Sequence, residues 1–383
     1  MSDLLAPPSH AAGPSSPRTG VPVRDAAKLC VMPGLDDWRA RAQQISDDLL
    51  FPASAEVDAA ELVPRAQLDT LAADGFYGIA APVTEGGVGP EARVLDGADD
   101  GAGDGAGVGV ADGIAVMSDV VATLAGGCLA TTFVWLQHLG PVMSVAASPV
   151  PGITRAWLGP LARGERRAGV ALAGVRPGPA QVQVEKVDGG YLLRGETAWV
   201  TGWGLIDTLH LAARDFHDVI HFLLLDAIAS PTLEVGRTRL MAAQASGTVT
   251  VRFDDHFVAA DRLTRTQPLG EWAGADSFGS SLNGFLALGV ARRAAWLLET
   301  DRWDDDIAGC RTALLTAAPG GIPAARARTS RLAVRIATEL MVRTGSRAVL
   351  AGDHAQRLYR EAGFLLVFGS RPAIRDELLG MLG

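Results

Sequence analysis

Cysteine is scarce in this chain: Cys30, Cys128 and Cys310 are the three in 383 residues, far apart and with no CxxC pair. That scarcity argues against a zinc ribbon and against a secreted disulfide framework, and it points to a reducing cytoplasm. Positive charge is also short, with 34 Lys and Arg against 43 Asp and Glu, a net charge of −9 and a pI near 5.3. A nucleic-acid binder or a basic membrane-surface protein needs the opposite balance. The N-terminal stretch MSDLLAPPSHAAGPSSPRTG lacks a basic region followed by an apolar run, so no signal peptide is expected. From Val120 to Thr154 the chain lacks any charged side chain, which is long enough for a membrane span. Gly126-Gly127 and Pro141 interrupt that run, and it is expected to form buried helices broken at those points.

Enough apolar residue remains to build a core, at 48% hydrophobic and 20% charged, and the length suggests two or three packed units. Residues 1–33 are rich in Pro, Ser and Ala and are expected to form a disordered arm. An N-terminal helical domain is expected over 34–165, where Trp38, Ala42, Ile45 and Leu49 recur at helical spacing. Inside it, the glycine- and aspartate-rich stretch 95–113 is expected to be a flexible insertion. Its GAGDGAG string follows no strand and precedes no GK[ST], so it does not make a phosphate loop, and it lacks the ligand spacing of a calcium loop. Over 166–266 the period changes to alternation, with a hairpin turn at Asp188-Gly189-Gly190, so a middle antiparallel β-domain is expected. Residues 267–383 return to helical patterning, broken at Pro319 and Pro323, as a C-terminal helical bundle. The fold class is multi-domain α+β in the order helix, sheet, helix.

Three strings then carry a resemblance: GFYGIAAPVTEGGVG in the first zone, and GGYLLRGETAWVTGWGLIDTLHLAAR and GTVTVRFDDHFVAADRL in the second. Together with the zone order they resemble the acyl-CoA dehydrogenase family of flavoproteins over roughly residues 40–383. The resemblance implies FAD as cofactor, with FMN as a variant, and an oxidoreductase acting on CH–CH bonds of an acyl-CoA or related thioester, as in fatty acid metabolism. It implies that Trp199 packs beside the flavin ring and that Thr201 hydrogen-bonds the ring's reactive edge. It also implies a cytoplasmic homo-oligomer, or a hetero-oligomer with a paralogue, without nucleic acid, membrane or metal.

Departures from the family pattern are as informative. Where the family carries Thr-Glu-Pro upstream of the flavin strand, this chain has Ala171, Leu172, Ala173 and Gly174. The family's catalytic Glu, which removes the α-proton of the thioester, maps to Phe368, or to Gly369 without a gap, and neither accepts a proton. An alternative family position for that Glu falls on Ser281, Leu282, Asn283 and Gly284, also without a carboxylate. Asp276 is the nearest substitute, and its ordinary role is to cap the following helix. The family's Arg-x-x-Phe-Gly loop for the FAD diphosphate is replaced by DRWDDDIAG, whose aspartates repel phosphate. Arg343 and Arg347 beside Gly345 either hold phosphate or form a solvated helix face.

Other catalytic sets are absent or bland. No G-x-S-x-G elbow occurs. His210, His217 and His221 lack a matching carboxylate pair for a metal. Gln137-His138 ends an apolar helix and is read either as structural or as pocket lining. The expectation is therefore a flavoprotein that is a poor acyl-CoA dehydrogenase on its own. The alternatives are a non-catalytic partner subunit of a heteromeric enzyme and a flavin-dependent monooxygenase on the same fold.

Overall fold

A computed structural model describes residues 34–89, 109–172, 175–176, 178–275, 278–369 and 371–382. The arm 1–33, most of the insertion 95–113, and Ala173, Gly174, Asp276 and Ser370 lie outside the described residues. The last five insertion residues are described, and they correct the expected boundary. Helix α4 (Val110–Gly127) already includes Gly113, where an added Cβ would lie 2.2 Å from the Val88 carbonyl oxygen. The glycine there admits a close backbone approach and does not break the helix.

Before α4 come α1 (Leu35–Ile45), α2 (Phe51–Ala59) and α3 (Arg65–Ala73). Trp38, Ala42 and Ile45 face the core as their spacing predicts. A π-turn at Ser46–Leu50 then widens the helix, so Leu50 and not Leu49 becomes fully buried. After α4 run α5 (Leu129–Ala146) and α6 (Ile153–Ala162). The uncharged run breaks at Cys128, in extended backbone (φ −149°, ψ 112°), and α5 continues through Pro141. Pro141 removes one helical hydrogen bond, and the nearly complete burial of α5 outweighs that loss. Helix α4 is long and apolar enough to cross a membrane, but two thirds of it is buried within this protein.

The middle region holds β1 (Ala168–Ala171), β2 (Val182–Val187), β3 (Gly190–Val200), β4 (Thr208–Arg214), β5 (Val219–Asp226), β6 (Leu233–Arg237), β7 (Val249–Ala259) and β8 (Leu263–Pro268). They form one sheet in the order β6-β7-β3-β2-β4-β5-β8, with β1 beside β4. The expected hairpin is present: Val187 pairs with Gly190, and Gly189 supplies a left-handed turn residue (φ 74°). Five pairings are antiparallel, but β1 and the tip of β2 run parallel to β4, so the sheet is mixed. Alternation reveals a strand's period but not its neighbour's direction. The sheet has its own core around Leu193, Leu209, Leu211 and Val251.

The C-terminal region comprises α7 (Leu269–Ala275), α8 (Phe278–Leu297), α9 (Asp304–Thr316), α10 (Ile322–Thr344), α11 (His354–Val367) and α12 (Pro372–Gly380). Its core is continuous with that of the N-terminal helices, joining Val120 and Val121 to Phe285, Leu286 and Val290. Helices α4 and α8 meet at glycine: a Cβ on Gly289 would lie 2.1 Å from the Ala122 carbonyl oxygen, and one on Gly126 would lie 3.0 Å from that of Gly289. Small residues at this crossing let the two backbones approach closely.

Candidate active site

At the end of β3 the pairing with β7 slips between Thr197 and Val200. Trp199 sits in this irregularity with φ 67°, a region that a bulky residue occupies only at an energetic cost. Its indole is 57% exposed. Thr201, two residues on, is 2% exposed, and its hydroxyl meets Thr248 Oγ1 at 3.1 Å. Thr248 in turn meets Ser246 Oγ at 2.8 Å. Three hydroxyls joined by two contacts leave one O–H donor unspent. Backbone bonds from Gly202 N–H to Ser246 and from Trp203 N–H to Gly247 pin the segment.

The two places onto which the resemblance maps a carboxylate base lie close together. Gly369 (φ 58°) stands against α8, where a Cβ added to it would lie 3.4 Å from Asn283 Nδ2. Among the described residues, neither α8 nor the turn at 368–369 carries an acid. Phe368 packs edge-on against Phe133 of α5 (centroids 4.7 Å apart) and stacks on Phe364 (5.6 Å). Arg326 on α10, 2% exposed, donates from Nη1 to the Ser280 carbonyl at 2.8 Å and from Nη2 to the Phe368 carbonyl at 3.1 Å. Its Nε has no partner, and burial pulls the guanidinium down to about 10. The nearest buried acid on α11 is Glu361, tied to Arg357 at 2.7 Å. Burial raises the Glu361 pKa, against the lowering effect of Arg357.

The segments that the resemblance maps onto a diphosphate grip carry acids or paired arginines. Asp304, Asp305 and Asp306 form the first turn of α9. Arg343 is paired with Glu339 at 2.9 Å and Arg347 with Asp353 at 3.3 Å, both on the exposed surface, which favours the solvated-face reading of these arginines. His138 is structural. His138 receives the Ala168 N–H on Nδ1 (2.9 Å) and donates from Nε2 to the Leu161 carbonyl (3.0 Å), so both ring nitrogens are spent and no pocket role is left. Desolvation lowers its pKa to about 3, and that of buried His210 to about 3 as well. His221 bonds Asp215 at 3.0 Å. Among the described residues no group of three metal-ligating side chains occurs.

No family profile matches the chain. Among curated proteins it is similar to the benzylmalonyl-CoA dehydrogenase of Aromatoleum aromaticum, with 29% identity over 257 residues, 66% of this chain and 63% of that protein. It therefore spans just under two thirds of that relative's length. Solved structures share its architecture. Butyryl-CoA dehydrogenase from Megasphaera elsdenii matches with a TM-score of 0.73 at 18% identity, over 91% of this chain and 97% of that one. The glutaryl-CoA complex of glutaryl-coenzyme A dehydrogenase matches with a TM-score of 0.74 at 14% identity, over 91% and 94%. The chain has the acyl-CoA dehydrogenase fold. PigA, solved with FAD and proline, has the same fold at a TM-score of 0.72 and 16% identity, over 91% and 98%.

Within this fold the residues fit one half of a flavin better than the other. An exposed indole at Trp199 and an unspent hydroxyl proton in the Thr201–Thr248–Ser246 chain suit a planar, hydrogen-bonding ring. The buried Arg326 and the hydroxyls of Thr248 and Ser246 were not found from the sequence, because their partners come from distant parts of the chain. A cavity of about 810 Å³ was also missed, walled by Gly178, Gln183, Arg214, Phe216 and His221. Its only sequence signal is the polar RDFHD loop closing a buried strand.

Proposed function

We propose that this chain is an FAD-dependent oxidoreductase acting on CH–CH bonds of an acyl-CoA thioester, in the cytoplasm, without a carboxylate base of the family type. Trp199 lies against the flavin ring, and the hydroxyl chain through Thr201 donates to it. When bound, the flavin supplies the acceptor for a hydride. The observation that supports the reading is an exposed Trp199 beside the buried hydroxyl chain of Thr201, together with the bare meeting of Gly369 and Asn283. The diphosphate half of the cofactor needs further groups, and a second subunit, identical or paralogous, supplies them.

The missing base narrows the substrate. A thioester bearing a carboxylate on its α-carbon loses CO₂ by cleavage of that C–C bond, and the electron pair stays on the α-carbon with no proton removed. A malonyl thioester, the class named in the curated relative, has that carboxylate. The test compares plain and α-carboxylated acyl-CoA thioesters with an artificial electron acceptor, after the visible spectrum has shown whether flavin is bound. Turnover confined to the carboxylated set is expected. Ordinary turnover of plain acyl-CoA would mean that another base acts, and Asp276→Asn is the variant that identifies it. A colourless protein that raises the activity of a Glu-bearing paralogue would instead make it a partner subunit. Oxygen uptake with reduced flavin would make it a monooxygenase.

A further inference from the structure

The meeting of Gly369 with Asn283 offers hydrogen bonds that the fold itself leaves unused. Asn283, half-buried on α8, makes no side-chain hydrogen bond among the described residues. Its amide therefore keeps two N–H donors and a carbonyl acceptor unspent. Gly369 is exposed, and a side chain there would touch that amide, since an added Cβ lies 3.4 Å from Nδ2. The glycine, at φ 58°, leaves the donor uncovered.

Positive charge stands behind it. Arg326 packs against Gly284, the residue after Asn283, where an added Cβ would lie 2.9 Å from the arginine Cδ. Its two bonds go to the neutral carbonyls of Ser280 and Phe368, and among the described residues no acid pairs with it. A buried guanidinium with only dipoles around it is costly until an anion approaches. Apolar surface flanks the spot. Buried Phe133 packs edge-on against Phe364 at 5.7 Å and Phe368 at 4.7 Å. The next residue, Val134, comes to 3.4 Å from the place of a Cβ on Gly202, one residue past Thr201. The free amide and the proposed ring site are thus joined through one short stretch of α5.

We propose that Asn283 recognises the α-carboxylate of the substrate, donating its amide N–H to a carboxylate oxygen, with the charge of Arg326 behind it. This rests on the reading of the chain as an enzyme of acyl-CoA thioesters. A neutral donor suits the duty. The bond from the α-carbon to the carboxylate carbon breaks, CO₂ leaves, and the electron pair stays on the α-carbon, delocalised onto the thioester oxygen. A direct ion pair would hold the carboxylate in its charged form, whereas an amide orients it and lets the charge go. The cation one layer back favours an anion both before and after the loss. An acid at 283 would repel the same substrate. A plain acyl thioester leaves Arg326 uncompensated.

The probes are malonyl-CoA and acetyl-CoA, which differ by the carboxylate alone, and neither has a β C–H bond from which hydride could leave. Each is titrated by calorimetry into the full chain saturated with FAD. Mass spectrometry of the recovered thioester corrects for malonyl-CoA decarboxylated on the way. The wild type should bind malonyl-CoA at least about tenfold tighter than acetyl-CoA, the worth of a hydrogen bond to a charged group. Asn283→Leu, close to asparagine in shape, should bring the two affinities within about threefold. Asn283→Asp, closer still, should reverse their order. A malonyl preference that survives in both variants would overturn the role of Asn283 and leave the acyl-CoA reading standing. Equal binding of the two probes by the wild type would overturn it as well. Binding of neither probe at millimolar concentration would overturn the acyl-CoA reading, and this inference with it.

Discussion

Arg326 donates to the backbone carbonyl of Phe368 at 3.1 Å, so a buried cation holds in place the residue onto which the acyl-CoA dehydrogenase resemblance maps a catalytic acid. The same guanidinium holds the Ser280 carbonyl at the start of α8. It thereby fixes both segments that meet at Gly369 and Asn283. Arg326→Ala should cost about 4 kcal/mol, from a cavity plus two carbonyls losing their donor. Arg326→Met should cost less than half of that, because it fills the space and removes the desolvated charge. Urea unfolding of the two variants checks the order, and equal losses would contradict it.

The flavin ring site makes a second test. Trp199→Ala and Thr201→Val should each lower flavin occupancy of the purified protein, read from the visible absorbance per chain. Trp199→Gly, unlike Trp199→Ala, removes the Cβ that makes φ 67° costly. Its unfolding midpoint should therefore hold or rise while occupancy falls. Undiminished flavin in both variants would place the ring elsewhere.

Acid should weaken the fold before its carboxylates titrate. His138 and His210 stay neutral in the folded chain down to about pH 3, whereas an unfolded histidine takes a proton below about pH 6.5. Their depressed values contribute stability that is complete above pH 6.5 and lost as the pH falls toward 3, about 1.4 kcal/mol per pH unit for each ring. Denaturant midpoints between pH 7 and 5 should fall accordingly. His210→Gln should flatten the slope by about half, since one of the two rings is gone.

Adding one methyl group at the α4–α8 crossing should be felt in proportion to its clash. Gly289→Ala meets the Ala122 carbonyl at 2.1 Å and should cost at least about 3 kcal/mol, whereas Gly126→Ala, at 3.0 Å, should cost about 1. Thermal melts of the two variants decide this.

Much of this architecture was legible because hydrophobic period is a local signal. The alternation of VQVEKV and TLHLAAR gave strands, and the turn at Gly189 gave the hairpin. What escaped depends on neighbours that no short window contains. Pro141 reads as a break, but α5 is buried on so many sides that the helix runs through it. The π-turn that exchanges Leu49 for Leu50 adds one residue without any breaker in the sequence. Strand β1 is too short to announce its parallel pairing with β4. In the candidate site the losses were visible, since an absent carboxylate at 368 and 369 is a statement about residue type. The compensating contacts, from Arg326 and from Thr248 and Ser246, were not, because they arrive from other parts of the chain.

The shared core of the two helical regions bears on how the chain is made. Val120, Val121 and Leu124 on α4 are covered by α8, which the ribosome delivers more than 150 residues later. Until then α4 and α5 present a broad apolar surface with its cover still unsynthesised, while the sheet between them can already close on its own core. Nascent chains stalled after Pro268 should therefore recruit holding chaperones and aggregate on release, with the sheet folded and the N-terminal helices unfinished.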